Sequence, residues 1–343
     1  MSTNIAIDLE NSPGFSEQVT ADAEKHRAAR IPKLGLWPIL NIAAYGFALI
    51  TNALLPNILN VEPTAYQVAL IAFIVFFGVR YIVSLFNDNL REKVFYKAKF
   101  FFAVGIFLLV WDFLSTKAGV LPMPFFPGPA QIAQSTVADA GLLLQSTLYS
   151  LRLFLLGFVS GVALGIATGV LMGWYRQWEY WLFPIVKVVG IIPAVAWIPI
   201  AMAIFPDSLG AGTFLILISV WFPVAFMTSN GIVNINKSYF EAARTLGAKE
   251  WFLVYRIAIP GAAPHIFTGI STGSALAFVT LVVSEMVGAK AGLGWYINWA
   301  KGWSIYSKVY AAIVIMAVIF TIILGIIGLI KSRVLKWQKG LVK

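Results

Sequence analysis

The sequence predicts an all-helical membrane protein, and three observations support that fold class. Hydrophobic residues make up 59% of the 343 residues and charged residues only 12%, which is about half the charged share of an average soluble domain. The apolar residues are concentrated in eight segments, each long enough to cross a bilayer as a helix. These segments do not alternate between polar and apolar residues, as the strands of a membrane barrel would.

The eight segments follow one another along the whole chain. Their predicted bounds are residues 36–59, 66–86, 100–117, 142–174, 181–205, 213–233, 266–288 and 309–330. The first two form a hairpin within residues 36–90 that has no ionisable residue at mid-membrane depth, the usual mark of function. We therefore expect this hairpin to pack on the outside of a core formed by residues 91–343, with residues 1–35 as an N-terminal tail.

Basic residues predict the orientation of the chain in the membrane. Most of the 25 Lys and Arg residues lie in the N-terminal tail, the loop after the second segment, the loop after the sixth and the C-terminal tail. The positive-inside rule places these regions, and so both termini, in the cytoplasm. Anionic lipid accounts for the net charge of +10 without a nucleic-acid partner. Residues 1–33 lack the apolar region of a signal peptide, and we expect a short interfacial helix near residues 16–30.

Glycine recurs at every fourth position of the fourth segment. The five glycines are Gly157, Gly161, Gly165, Gly169 and Gly173. In a helix these positions form one ridge, and small residues let another membrane helix approach closely. The ridge predicts close helix contacts, with static packing inside one subunit as the favoured interpretation and a sliding gate surface as the alternative.

The fifth segment is interrupted by proline, at Pro184, Pro193, Pro199 and Pro206. Each proline removes a backbone donor and kinks or breaks a helix. Broken helices are tolerated at membrane depth only within protein or beside a water-filled cavity. Pro193 and Trp197 are therefore candidates for the wall of a translocation pathway, and a packed, kinked helix is the alternative.

Polar residues inside the later segments are further candidates for the pathway. Ser271 and Ser274 belong to a stripe in the seventh segment that could line a channel or bond to a neighbouring helix. Arg152 and Glu285 are ionisable residues expected in the external half of the membrane. We expect them to form an ion pair at an outer gate, and attraction of an anion by Arg152 is the alternative.

Residues 235–260, between the sixth and seventh segments, form an amphipathic stretch too charged to cross a membrane. An acidic residue and two alanines open a predicted helix whose positive end suits the acid, a glycine ends or bends it, and a proline begins the next span. This arrangement predicts a docking element for a cytoplasmic partner, although interfacial helix pairs of other kinds are common. The residues concerned are Glu241, Ala242, Ala243, Arg244, Gly247, Ile257 and Pro260.

The same stretch resembles the EAA loop of ATP-binding-cassette (ABC) importer permeases. It matches the pattern E-A-A-x3-G-x9-I-x-L-P from Glu241 to Pro260, except that Ile259 stands in place of Leu. Further stretches, at residues 111–112, 121–132, 146–158, 191–202 and 284–295, resemble the branch that serves nitrate, sulfonates, taurine and bicarbonate. The resemblance implies a type I permease core of six transmembrane helices, so that the first two helices are an addition.

The resemblance also implies partners and a location. It implies a second permease copy as a homodimer partner, two cytoplasmic ATPase subunits that bind ATP and Mg²⁺, an external solute-binding protein, and the lipid of a bacterial inner membrane. The chain is expected to be a transport subunit and not an enzyme, since it has no phosphate loop and no HExxH motif. We expect no metal or cofactor site, because Cys is absent and His26 and His265 are isolated. The expected solute is an oxyanion or sulfonate; a vitamin or pyrimidine precursor, and less so a self-sufficient secondary transporter, are alternatives.

Overall fold

The computed structural model describes residues 35–58 and 61–337, and every regular element within these ranges is a helix. The predicted fold class is therefore confirmed. The tail of residues 1–34, the interfacial helix expected near residues 16–30, and residues 338–343 lie outside the described residues.

Thirteen helices are numbered here in chain order within the described ranges. They are α1 (Leu36–Leu54), α2 (Thr64–Phe86), α3 (Asp88–Asp112), α4 (Pro129–Ala138), α5 (Ala140–Trp174), α6 (Arg176–Ile191), α7 (Ile198–Ile204), α8 (Ser208–Val233), α9 (Lys237–Thr245), α10 (Glu250–Phe252), α11 (Ile259–Gly288), α12 (Leu293–Gly302) and α13 (Tyr306–Val334). A π-helical turn, Phe113–Lys117, extends α3, and another, Leu253–Ala258, joins α10 to α11.

Seven helical segments in the described ranges are long and apolar enough to cross a membrane. They are Leu36–Leu54, Thr64–Phe86, Asp88–Lys117, Ala140–Trp174, Ser208–Val233, Glu250–Gly288 and Tyr306–Val334. The remaining predicted span is broken, because α6 and the helical segment Ala194–Ile204 meet at an angle of 96°. The break falls at Pro193, as the proline pattern predicts, and the predicted spans are all found if the bent pair counts as one.

The chain divides into two compact units between Ala138 and Asp139. The third span, α3, belongs to the first unit together with the hairpin α1–α2, and α1 packs along both of its neighbours. A core domain that begins at residue 91, in the first turn of α3, stays a prediction.

A buried polar network ties the hairpin to the third span within the first unit. Asp112 is 3% exposed, and its carboxylate accepts hydrogen bonds from Asn52 Nδ2 of α1 at 3.0 Å and from Thr116 Oγ1 at 2.9 Å. Gln67 Nε2 of α2 donates to Asn52 Oδ1 at 3.2 Å. Lys117 Nζ donates to Asn52 O at 3.0 Å and to Leu55 O, where it satisfies carbonyls that the end of α1 leaves unpaired. The hairpin thus supplies most partners of two ionisable side chains of the third span.

The second unit is built on contact between α5, α8 and α11. The glycines of α5 face α8: a Cβ atom on Gly165 would lie 2.7 Å from Val224 Cβ, and one on Gly169 would lie 2.6 Å from Ala225 O. Contacts this short leave room for hydrogen only, so the two backbones touch along the ridge. The predicted close helix contacts are confirmed, and they lie inside one chain as the favoured interpretation expected.

Candidate coupling and translocation sites

An aromatic side chain of α9 packs against the rest of the second unit. Phe240 packs edge-on against Trp174, with ring centroids 5.2 Å apart, and covers a buried apolar cluster that includes Ile232 and Ala258. At the start of α9, Asn236 Oδ1 accepts a hydrogen bond from Ser238 N, the usual cap of a helix N-terminus. One face of α9 is therefore fixed, and the other is left for a partner.

Gly247 explains the spacing of the alanines and the glycine in this loop. Its φ is +81°, a conformation that residues with a Cβ atom rarely adopt. Gly247 N donates to Arg244 O at 2.9 Å, and Ala248 N donates to Ala243 O at 3.0 Å. These two bonds are the Schellman motif that closes a helix, so a glycine four residues after Ala243 ends α9 as predicted.

The free face of the loop is apolar at its rim and charged at its centre. Glu241, Ala242 and Arg244 are exposed, whereas Ala243 is half-buried. Arg244 and Glu250 form an ion pair at 3.2 Å, and because both side chains are more than half exposed the pair contributes little stability. Leu246 is 88% exposed and Trp251 is 62% exposed. Large apolar side chains exposed together are typical of a surface that binds another protein.

Ile257 and Pro260 lie behind this loop, beside a cavity of about 580 Å³. The cavity is lined by polar and basic side chains as well as apolar ones, among them Asn234, Tyr239, Arg256, His265 and Trp337. The structure thus brings His265 close to the residues of the loop. The π-helical turn Leu253–Ala258 runs directly into α11, so it connects the loop to this long span.

The break after α6 opens a second cavity, of about 190 Å³, between α6, α8 and α11. Pro193 lines it, together with Ser219, Phe222, Leu276 and Thr280. Ser219, Phe222 and Leu276 were not predicted, since nothing in their local sequence distinguishes them from core residues of α8 and α11.

Trp197 does not line this cavity and packs against Ala201, Ala211 and Leu215. Its Nε1 is buried and has no hydrogen-bond partner among the residues that the structure describes. A buried N–H group without an acceptor is rare in proteins and commonly marks a site for water or a ligand.

Ser271 and Ser274 use their hydroxyl groups within α11. Ser271 Oγ donates to Phe267 O at 2.8 Å, and Ser274 Oγ donates to Ser271 O at 2.8 Å. Ser274 is fully buried and Ser271 half-buried, and neither lines the cavity at the break. A channel-lining role for the two serines stays a prediction.

Glu285 has a different partner from the one predicted. Ser150 Oγ donates to Glu285 Oε1 at 2.6 Å, and Gly294 N donates to Glu285 Oε2 at 2.8 Å. No ion pair joins Arg152 to Glu285 in the described part of the chain, and Arg152 is exposed. The predicted pair is wrong because positions two apart on a helix point in nearly opposite directions: Ser150 faces Glu285, so Arg152 faces away.

A second polar cluster, missed from the sequence, lies where α5, α12 and α13 meet. Asp139 Oδ2 forms an ion pair with Lys308 Nζ at 2.6 Å and accepts a hydrogen bond from Tyr296 Oη at 2.7 Å. Burial alone would raise the pKa of Asp139, but the hydrogen bonds from Lys308 and Tyr296 and the charge of Lys308 hold it below its ordinary value. Burial, and then the bond to Asp139, raise the pKa of the Tyr296 hydroxyl. No sequence pattern links positions so far apart.

Comparisons with known proteins agree on the kind of protein. Residues 161–336 match the family model for the binding-protein-dependent transport system inner membrane component. A probable ABC transporter permease of Brucella melitensis is 32% identical over 195 residues, which cover 56% of this chain and 77% of that protein. A nitrate import permease of Synechococcus elongatus is 27% identical over 202 residues, 55% of this chain and 71% of that protein. A solved chain of the inward-facing MetNI methionine ABC transporter is similar in fold, with a TM-score of 0.51 at 22% identity over 57% of this chain and 98% of that chain.

Proposed function

The chain belongs to the family of binding-protein-dependent transport system inner membrane components, as the permease subunit of an ABC importer, and we propose that its solute is a small nutrient of the oxyanion or sulfonate type, such as nitrate, a sulfonate, taurine or bicarbonate. Its fold is that of the type I importer permeases, and its family comprises transport subunits, not enzymes. Support for the solute comes from relatives that are nitrate import permeases.

We propose that the loop around α9 is the docking site of the ATPase, and this loop is the single observation that carries the mechanism. Its exposed apolar rim at Leu246 and Trp251 needs a partner in water. ATP and Mg²⁺ would bind to the ATPase, because this chain has no phosphate loop. A movement of the ATPase would reach α11 through Phe240 and the π-helical turn Leu253–Ala258, which pack in one apolar cluster.

The complete importer would contain two copies of this permease, two ATPase subunits and an external solute-binding protein. We propose that it lies in a bacterial inner membrane with both termini of this chain in the cytoplasm, since the basic loops and the α9 loop are predicted on the same side. The cavity at the break beside Pro193 is proposed as part of the pathway, because unpaired backbone at membrane depth is tolerated next to water.

The docking proposal is tested by charge reversal in the loop. Glu241→Lys should abolish co-purification with the ATPase or uncouple ATP hydrolysis from uptake, because the exposed carboxylate at the middle of α9 would face the partner. Since α9 begins at Lys237, Glu241 does not open the helix as the sequence predicts. The matched control is Glu62→Lys, another exposed acid, which lies outside the loop. Retention of the ATPase and of ATP-driven uptake in Glu241→Lys would refute the docking role.

The solute is tested with the reconstituted importer in proteoliposomes. ATP-dependent uptake of labelled nitrate, reduced by excess unlabelled nitrate, is the expected result. Uptake of a sulfonate or of a pyrimidine precursor in place of nitrate would change the solute and leave the importer class intact. Uptake by this chain alone, without an ATPase, would indicate a secondary transporter.

A further inference from the structure

A single charged residue lies in the interior of the broken span, beyond its first turn. Lys187 is the only ionisable side chain among Asp, Glu, Lys, Arg and His between Glu179 and Asp207. The first turn of α6, with Arg176 and Glu179, carries the charges expected at a membrane surface. Lys187 lies eleven positions after Arg176. At the rise of an α-helix this is a distance of about 16 Å, or about half the thickness of the hydrocarbon core.

Lys187 projects away from its own chain. Val186 is the only buried residue of α6, a helix that the structure describes along its whole length. Lys187 Nζ lies 5.9 Å from the centre of the Phe183 ring, and no salt bridge to Lys187 occurs in residues 35–58 and 61–337. The ammonium group, placed near mid-membrane by its distance from Arg176, therefore has no carboxylate partner in the described part of the chain.

The apolar face of α6 is separate from the face that carries Lys187. Ile185 and Val188 are 54% and 56% exposed, and with Trp181 they follow one side of the helix at the spacing of three and four residues. Lys187 lies on a different side, on a line with Tyr180 and Phe183. The side with Ile185 and Val188 has the character of a lipid-facing surface, whereas a charge interrupts the side with Lys187.

We propose that Lys187 faces a water-filled translocation pathway and attracts the anionic group of the solute there. A charged side chain in hydrocarbon is costly, and such residues face a bundle interior or an aqueous cavity. The four-carbon stem is too short to carry the ammonium to either membrane surface from this depth. The inference rests on the proposed function and deepens it by naming the group that recognises the solute's charge.

The surroundings of Lys187 suit an anion in transit. Gly190, one turn further along α6, lines the cavity of about 190 Å³ at the break. The cation favours a negatively charged guest at this break, and no Asp or Glu lies between residues 180 and 206 to oppose it.

Cysteine labelling tests the exposure of Lys187 to water. The natural chain has no Cys, so Lys187→Cys is a single-cysteine protein, and its exposed position makes it dispensable for packing. In intact membranes we expect Lys187→Cys to react with an anionic methanethiosulfonate and the matched variant Ile185→Cys to remain unreactive. Failure of Lys187→Cys to react, or equal reaction of Ile185→Cys, would overturn the proposal.

A second labelling experiment tests the attraction of anions. Phe183→Cys places a thiol one turn from Lys187, about 6 Å away, and its rates of reaction with anionic and cationic reagents are compared. Changing Lys187→Gln in that background should lower the anionic-to-cationic ratio at least about threefold, the effect of one charge at this distance in water. An unchanged ratio would refute the attraction. Labelling needs neither ATPase nor solute, so expected labelling without nitrate uptake would refute the proposed solute alone.

Discussion

At the scale of single residues, two acids, the buried Glu285 and the partly buried Asp139, hold the short helix α12 against the long spans. Glu285 accepts from the backbone N–H of Gly294 at the start of α12, where a carboxylate also suits the helix dipole. Gly292 has φ of +115°, and a Cβ atom on it would lie 2.4 Å from Glu285 Oε1. Asp139 holds the same helix through Tyr296. Replacing either acid would leave donors without acceptors.

Asp139→Asn should lower the stability of the purified protein by about 1 to 3 kcal/mol, because Lys308 loses its counter-charge and Tyr296 its charged acceptor. Thermal unfolding at neutral pH measures the loss. Asp207→Asn is the matched control: Asp207 caps α8 by accepting from Gly210 N, and Asn caps a helix equally well. Equal, small effects of both changes would show that the Asp139 cluster contributes nothing.

The difference in stability between the natural chain and Asp139→Asn is predicted to depend on pH. The pKa of Asp139 is lowered in the folded state, so its contribution is complete above the ordinary aspartate pKa of about 3.9 and is lost as the pH falls through the lowered value. The difference in melting temperature between the natural chain and Asp139→Asn should therefore be constant near neutral pH and disappear in acid. A difference that grows in acid would contradict the assignment.

At the scale of helices, the glycine ridge of α5 decides how closely α8 can approach. A Cβ atom at Gly165 would lie 2.7 Å from Val224 Cβ and 3.1 Å from Trp221 O. We expect Gly165→Ala to destabilise the protein by about 1 to 3 kcal/mol through overpacking, even though Ala favours helix by about 1 kcal/mol. Gly325→Ala in α13, with no atom within 4 Å of the added carbon, is the control and should stabilise slightly. Equal changes in stability for both variants would mean that α5 and α8 can move apart to fit the added carbon without loss of stability.

Features written into local sequence were predictable, and features that join distant positions were not. The four-residue period of the glycines predicts the α5–α8 contact, and Pro193 predicts the break of the fifth span. Glu285 was recognised as a buried acid, but its partner is 135 positions away at Ser150, and the register that faces them is a property of the packed helices. Lys187 has a local signal, a lone charge inside an apolar segment, whereas the prediction concerned Arg152.

At the scale of the whole molecule, the hairpin α1–α2 supplies hydrogen bonds and apolar contacts to the third span, α3. Asn52 and Gln67 supply hydrogen bonds to and beside Asp112, and Tyr45 and Phe77 contribute to a buried apolar cluster that includes Phe101 of α3 at its edge. The hairpin has no mid-membrane charge of its own, which favoured a peripheral role. Its contacts indicate that it also stabilises α3, and its place outside the core stays a prediction.

Asn52→Leu tests this role without removing the hairpin. The change leaves one oxygen of the buried Asp112 carboxylate without its donor, so we expect a loss of about 1 to 3 kcal/mol. The double variant Asn52→Leu with Asp112→Leu removes the buried carboxylate together with its donor and should recover part of that loss, because only the neutral donors Gln67 Nε2 and Thr116 Oγ1 then lose an acceptor. A double variant as unstable as the sum of the two single variants would show that the contact contributes nothing.

Deletion tests the same role in transport. Removal of residues 1–86 keeps Asn87, which caps α3 by accepting from Leu90 N, but takes away every α1 and α2 partner of Asp112 and Lys117. We expect this variant to accumulate poorly in membranes and to unfold at a lower temperature, whereas removal of residues 1–34 alone, which spares both helices, should have little effect. Membrane abundance, melting temperature and ATP-driven uptake are compared between the two deletions. Equal stability and uptake in both would mean that α3 holds Asp112 with Thr116 alone and that the hairpin is peripheral after all.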